Sequence, residues 1–139
     1  MFCNSTSLKG SEHMSLQTNE SAENYLESVL ILKREMGSVR SIDIAHHLGF
    51  TKPSISRAMS LLKEKGNVTI DVDGFIELTN SGLEIAERIY ERHELITTWL
   101  ISLGVSPETA ASDACRMEHV MSEETFSKIK HNAINVRTE

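Results

Sequence analysis

Three side chains that can bind a metal lie close together in residues 113–122. Cys115, Glu118 and His119 are spaced i, i+3 and i+4, so a helix would place all three on one face. A thiol, a carboxylate and an imidazole on one small-residue face form a usable transition-metal site. The alternative is a buried cysteine beside an ordinary Glu–His ion pair. The spacing alone is compatible with both interpretations.

Three further polar residues could complete such a site. His93 lies on an apolar helical stripe between Ile89 and Ile96, so it needs a partner when buried. That partner is usually a hydrogen bond and less often a metal. Asn24 and Glu27 are i, i+3 neighbours beside the apolar face of the first helix, where a solvated helix edge is the more common situation.

A catalytic function is not expected. Cys115 and His119 resemble a nucleophile and its base, but no third group orients them and no glycine-rich turn offers an oxyanion hole. The glycines match neither a phosphate-binding loop nor a dinucleotide fingerprint. We therefore predict that the chain is not an enzyme.

The sequence of the N-terminal half predicts three helices followed by two short strands. Caps and apolar spacing indicate helices over residues 21–36, 41–48 and 51–65, with Ser21, Ser41 and Thr51 as N-caps. Two strand-like runs, 68–71 and 74–78, then flank a turn at Asp73 and Gly74. This order of elements is typical of a winged helix-turn-helix, whose second helix enters the DNA major groove while the hairpin follows the backbone.

The third helix has the two faces that such a role requires. Ile55, Met59 and Leu62 recur at i, i+4 and i+7 and predict its buried stripe. The opposite face carries small residues and one arginine, so it can approach base edges closely. Its members are Pro53, Ser56, Arg57 and Ser60.

The C-terminal half predicts three more helices, over residues 81–103, 106–121 and 122–134. The long helix would bury Ile85, Ile89, Ile96, Leu100 and Leu103. The predicted fold class is mainly α with a small β-hairpin wing. Its domains are a disordered tail (1–18), a winged helix-turn-helix DNA-binding domain (19–80), a helical metal-binding and dimerisation domain (81–134) and a C-terminal tail (135–139).

The charge distribution is uneven. The net charge of −6 argues weakly against a nucleic-acid partner. Between Lys33 and Asn67, however, seven basic and three acidic residues give a local net charge of +4. A basic segment on an acidic protein can still follow a phosphate backbone, although a solvated charge asymmetry explains the same count.

The sequence favours a cytoplasmic protein with no membrane partner. No run approaches the roughly 18 apolar residues of a membrane span, and the N-terminus lacks the apolar region of a signal peptide. Cys3 and Cys115 lie in different contexts and do not look like a disulfide framework, which fits a reducing compartment.

The chain resembles the metal-dependent repressors that include the diphtheria toxin repressor and the manganese transport regulator. The resemblance covers residues 21–134 and is most specific in Ala-Cys-Arg-Met-Glu-His-Val-Met-Ser over residues 114–122. Arg-His-Glu-Leu (92–95), Asp-Ile-Ala (43–45) and Leu-Thr-Asn-Ser-Gly (78–82) also fit. It implies a homodimer that binds a palindromic operator on double-stranded DNA when loaded with Fe(II) or Mn(II), commonly to repress metal-uptake genes.

The resemblance also implies specific site residues. Cys115, Glu118 and His119 match primary ligands, and Glu27 and His93 match second-metal ligands of the manganese branch. Asn24 stands where the iron branch has Met and the manganese branch has Asp, and Cys115 replaces a carboxylate that bridges two metals in the manganese branch. The DNA contacts expected on the third helix are Lys52, Pro53, Ser54, Ser56, Arg57 and Lys63.

Two other functions fit parts of this pattern. One is a winged-helix regulator that responds to a small molecule or to redox state without a metal. The other is a metal-binding or redox module that retains the fold but binds no DNA.

Overall fold

The computed structural model describes residues 14–137. Within this range the chain divides into two compact units, and the division falls inside one helix, between Arg88 and Ile89. We call residues 14–88 the N-terminal unit and residues 89–137 the C-terminal unit. In these described residues no helix has both the length and the apolar character that crossing a bilayer requires.

The predicted fold class is confirmed, because six helices and one two-stranded hairpin follow each other in the expected order over the described residues. The elements are α1 (Met14–Met36), α2 (Ser41–Leu48), α3 (Lys52–Glu64), β1 (Val68–Ile70), β2 (Ile76–Leu78), α4 (Asn80–Ser102), α5 (Pro107–Val120) and α6 (Glu123–Arg137). The N-terminal unit holds α1 to β2 and the start of α4.

Helix α1 begins seven residues earlier than predicted, at Met14 instead of Ser21. The predicted cap at Ser21 is wrong, because the helix already runs from Met14 and passes through Ser21. Residues 14–18 of the predicted tail are therefore helical, and residues 1–13 lie outside the described part of the chain. The predicted end is confirmed, since α1 finishes at Met36 before Gly37, whose φ is 85°.

The turn between α2 and α3 is built from two local signals. Gly49 ends α2 with a φ of 73°, a conformation that glycine adopts without steric cost. Thr51 then caps α3, its side chain accepting a hydrogen bond from the Ser54 amide at 3.4 Å. The predicted cap of α2 is off by one residue, because the backbone N–H of Arg40 donates to the Asp43 carboxylate at 2.8 Å.

The wing is an antiparallel hairpin in which Val68 pairs with Leu78 and Ile70 with Ile76. At its tip the Asp71 carboxylate accepts the amides of Asp73 and Phe75, both at 2.9 Å. The hairpin and helices α1–α3 share one core in the N-terminal unit. Its fully buried members include Leu26, Val29, Ile44, Leu48, Ile55, Met59, Val68 and Ile76.

The C-terminal unit packs the rest of α4 with α5 and α6. Ile96, Ala110, Ala114 and Phe126 are among its buried residues. Leu103 is a correction to the predicted stripe, because it follows the last residue of α4 and is 63% exposed. Residues 135–137 of the predicted C-terminal tail also belong to helix α6.

Candidate metal centre and DNA-binding face

Helix α5 carries the centre of the candidate metal site. Pro107 occupies its first turn, where a missing N–H costs no helical hydrogen bond. The i, i+3 spacing then directs Cys115 and Glu118 to one face, as predicted. Cys115 is 6% exposed and Glu118 is fully buried.

Helix α4 brings His93 to the same place. His93 Nδ1 lies 2.9 Å from Glu118 Oε2. One ligand atom each from His93, Cys115 and Glu118 can be chosen so that all three lie within 4.8 Å of one another. An imidazole nitrogen, a sulfur and a carboxylate oxygen at this separation are able to share one divalent transition-metal ion.

His119 adds a second imidazole next to the same carboxylate. Its Nε2 lies 3.4 Å from Glu118 Oε1, and its side chain is only 8% exposed. The carboxyl group of Glu118 therefore has an imidazole near each oxygen, one from α4 and one from α5. Four of the predicted ligands belong to this cluster: His93, Cys115, Glu118 and His119.

The oxidation state of Cys115 determines whether its sulfur can bind a metal. From the sequence, the two cysteines were not expected to form a disulfide framework. The other cysteine of the chain, Cys3, lies outside the described residues. Because the thiolate is the form that ligates metals, a role of Cys115 as a ligand requires the reduced protein.

The two remaining predicted ligands belong to α1 in the N-terminal unit. Asn24 is half-buried, and its backbone carbonyl accepts a hydrogen bond from the Ser28 hydroxyl at 2.8 Å. Glu27 is only 3% exposed, so a solvated helix edge is the wrong description of it. A carboxylate so deeply buried is costly unless a cation or hydrogen bonds compensate it.

Arg92 is a site residue that the prediction did not include. It is 5% exposed and donates to the backbone carbonyls of Glu118 at 3.0 Å and Met121 at 2.8 Å. The sequence carried a signal for it: Ile89, Arg92 and Ile96 are spaced i, i+3 and i+7, so Arg92 falls on the buried stripe of α4.

The predicted DNA contacts lie on the outer side of α3. Lys52, Pro53, Arg57 and Lys63 are exposed, whereas Ser54 and Ser56 are half-buried. The hydroxyl of Ser54 donates to the backbone carbonyl of Thr51 at 3.0 Å, so it takes part in the helix cap.

A surface groove on α3 is lined by Ser56, Arg57, Ser60 and Leu61. Leu61 is 57% exposed and was not among the predicted contacts. Its exposure next to Arg57 gives this face an apolar as well as a charged part.

A winged helix-turn-helix unit and a helical unit with a buried metal-type donor cluster define the class of metal-responsive transcriptional regulators. Comparison with known proteins agrees with that class. Residues 79–137 match the family model described as the metal-binding and dimerisation domain of iron-dependent repressors.

Curated relatives identify the family. The regulator MntR of Escherichia coli O6:H1 is 35% identical over 111 residues, which cover 80% of this chain and 72% of that protein. The iron-dependent repressor IdeR of Mycobacterium bovis is 30% identical over 111 residues, covering 79% of this chain and 48% of IdeR. The chain therefore belongs to the family of metal-dependent transcriptional repressors that contains MntR and IdeR.

Solved structures agree with this assignment. A manganese-dependent transcriptional repressor in complex with manganese superposes with a TM-score of 0.74 at 25% identity, covering 81% of this chain and 52% of that one. The IdeR of T. acidophilum gives a TM-score of 0.69 at 25% identity, covering 79% of this chain and 52% of that one.

Proposed function

We propose that this chain is a cytoplasmic repressor that binds a palindromic operator as a homodimer when loaded with Fe(II) or Mn(II), and so controls genes of metal homeostasis. The observation that carries the proposal is the cluster of His93, Cys115 and Glu118. It lies within the residues that match the metal-binding domain of the family.

The donor set fits a divalent transition metal. It combines two imidazoles, which are borderline donors, with one soft thiolate and one hard carboxylate. Imidazole is a common ligand of Fe(II), and carboxylate is a common ligand of Mn(II). When bound, a divalent ion would offset the negative charges of Cys115 and Glu118 and link α4 to α5. Without that ion, the imidazoles of His93 and His119 stay close to the carboxylate and keep its oxygens in place.

Asn24 and Glu27 are proposed as additional ligands on the strength of the family resemblance. The burial of Glu27 supports its part in this proposal, because a buried carboxylate on an apolar helical face is the kind of group that a cation stabilises. Asn24 would offer a neutral amide oxygen, a moderately hard donor.

DNA recognition is proposed for α3. Ser54, Ser56 and Arg57 would contact base edges, and Pro53 a thymine methyl group. Lys52 and Lys63 would contact phosphates, which fix the register without reading sequence. In a symmetric dimer two copies of α3 would reach successive major grooves, roughly 34 Å apart, which is why a palindromic operator is expected.

Dimerisation is proposed for the C-terminal unit. Ile101, Leu103 and Val120 are large apolar residues of this unit, with exposures of 42%, 63% and 71%. Contact with a second copy would remove this apolar surface from water, at about 25 cal/mol for each Å² buried.

The deciding experiment is selection from a pool of random DNA duplexes under anaerobic, reducing conditions. Parallel selections would contain Mn(II), Fe(II) or a chelator. We expect a palindrome to be enriched in the metal-containing selections and not with chelator, and the more effective ion to indicate the physiological one. Enrichment of the same motif with chelator would remove the metal switch, and no enrichment in any selection would remove the DNA-binding function.

A second candidate function is a regulator that responds to redox state without a metal. The observation that favours it is the approach of the Cys115 sulfur to an imidazole nitrogen of His93, because thiols beside a histidine are often redox-active. The same selection distinguishes the two functions when an oxidised and a reduced arm with chelator are added. A redox regulator would enrich its motif in only one of those two arms.

A further inference from the structure

Arg92 contacts the ends of two helices at once. Its Nη1 donates to the carbonyl oxygens of Glu118 and Met121, at 3.0 and 2.8 Å. Its Nη2 donates to Glu123 Oε1 at 2.5 Å, and Cζ lies 5.1 Å from the centre of the Phe126 ring. One guanidinium therefore joins the last turn of α5 to the first turn of α6.

The two carbonyls belong to the end of α5, where a helix leaves its last carbonyl groups without helical partners. A positive charge there also interacts favourably with the negative end of the helix dipole. Arginine suits this position because its planar guanidinium presents several donors in a fixed arrangement. A lysine would supply the charge but not that arrangement.

Arg92 and His93 are consecutive residues of α4, and both hold Glu118. Arg92 binds its backbone carbonyl, and His93 binds its carboxylate. If the side chains of His93 and Glu118 bound the same ion, the hydrogen bond between them would break. The contact between Arg92 and the backbone would persist in either state.

We propose, on the basis of the function proposed above, that Arg92 is a positioning residue for the metal centre. It fixes the backbone of Glu118 relative to His93, so the two ligands stay in register before and after metal binding. Glu123 and Phe126 of α6 hold the guanidinium in place, so the N-terminal turn of α6 contributes to metal affinity without touching the metal.

The test uses the full-length, reduced protein and Co(II) as a spectroscopic probe. Affinity comes from titration, and ligand geometry from the visible and thiolate-to-cobalt absorption bands. Replacement of groups that orient metal ligands typically costs 10–100-fold in affinity. We expect Arg92→Lys to lose about tenfold or more and to alter the bands, and Glu123→Gln to lose less in the same direction.

The matched control is Arg116→Lys. Arg116 also belongs to α5, but its side chain is 76% exposed and pairs only with the exposed carboxylate of Asp113 among the described contacts. We expect the Co(II) affinity and the spectrum of the Arg116→Lys variant to equal those of the unsubstituted protein. Urea unfolding with chelator, run on each variant, shows whether a loss of affinity merely follows a loss of folded protein.

The outcomes separate the two proposals. If the unsubstituted protein binds no Co(II), the proposed function itself fails. If it binds Co(II) and Arg92→Lys keeps the same affinity and spectrum, the positioning role is wrong. Should Arg92→Lys fail to fold, Glu123→Gln decides the matter, because the Glu123 side chain is 71% exposed and its replacement leaves the core intact.

Discussion

Glu118 is the residue on which the metal proposal depends most. It is a fully buried carboxylate with an imidazole near each oxygen. A charge in such a place costs free energy unless hydrogen bonds or a cation compensate it. A bound cation would therefore stabilise the folded protein, because it binds the folded state alone.

Glu118→Gln should remove metal-dependent stabilisation. Saturating metal at 100 times the dissociation constant stabilises a folded protein by about 2.7 kcal/mol. We expect thermal unfolding to show this increase for the unsubstituted protein and none for Glu118→Gln, with similar melting temperatures in chelator because glutamine keeps the shape of the side chain. Glu124→Gln, on the exposed first turn of α6, is the control. A full metal response in Glu118→Gln would exclude the carboxylate as a ligand.

If Cys115 is a ligand as proposed, metal binding should depend on its oxidation state. A disulfide sulfur carries no thiolate charge, so oxidised protein should bind Co(II) at least tenfold more weakly than protein reduced with a dithiol. Titration after diamide or dithiol treatment measures this difference. Cys115→Ser should give the same, lower affinity after both treatments. Equal affinity of the oxidised and reduced unsubstituted protein would show that the sulfur is not a ligand.

For the candidate site, the sequence predicted which residues share one face of a helix, but not which residues of different helices come into contact. Cys115, Glu118 and His119 could be assigned to one face from spacing alone, because a helix has a fixed period. The approach of His93 to Glu118, and of Arg92 to the end of α5, depends on how α4 and α5 pack. Spacing shows only that Arg92 is on a buried stripe, and the packing determines its partner.

The ends of helices were predicted well only where a residue imposes a specific backbone conformation. The turn between α2 and α3 was predicted closely, because Gly49 and Thr51 impose specific backbone conformations there. The start of α1 was not, because a serine that can cap a helix is also tolerated within one. At Ser21 the helix continues on both sides.

Gly82, in the first turn of α4, lies against the backbone of Asn67, so no other residue should replace it. A Cβ on Gly82 would lie 1.9 Å from the carbonyl oxygen of Asn67, which also accepts the Thr79 amide at 3.0 Å. The first turn of α4 can therefore pack against this backbone only because position 82 has no side chain.

Gly82→Ala should destabilise the protein although alanine is the better helix former. Helix propensity favours alanine over glycine by about 1 kcal/mol, whereas overpacking costs typically 1–3 kcal/mol, and here the obstructing atom belongs to the backbone. We expect a net loss of stability in urea unfolding. Glu84→Ala, at an exposed position two residues further along α4, should change stability by less than about 0.5 kcal/mol. Stability equal to or above that of the unsubstituted protein would contradict the close packing at position 82.

For the whole molecule, the net charge of −6 is less informative than where the positive charges lie. Operator binding would bring an acidic protein to a polyanion, so attraction must come from the basic segment that includes α3. The tip of the wing, with Asp71 and Asp73, carries negative charge and should contribute little to phosphate binding. We therefore expect Lys52 and Lys63, near the two ends of α3, to supply the main phosphate contacts.

Salt dependence measures this contribution directly. Each phosphate contact adds about 0.9 to the slope of log K against log salt, so Lys52→Ala should reduce the slope of a dimer by about two. Operator affinity, measured by fluorescence anisotropy across a salt series with metal present, gives the slope. Lys128→Ala, on exposed α6, removes the same charge away from α3 and should leave the slope unchanged. If both substitutions reduce it equally, overall charge governs binding and the contact assigned to Lys52 is wrong. If only Lys52→Ala does, α3 meets the phosphate backbone at its N-terminal end, and that contact fixes the register in which Arg57 reaches the bases.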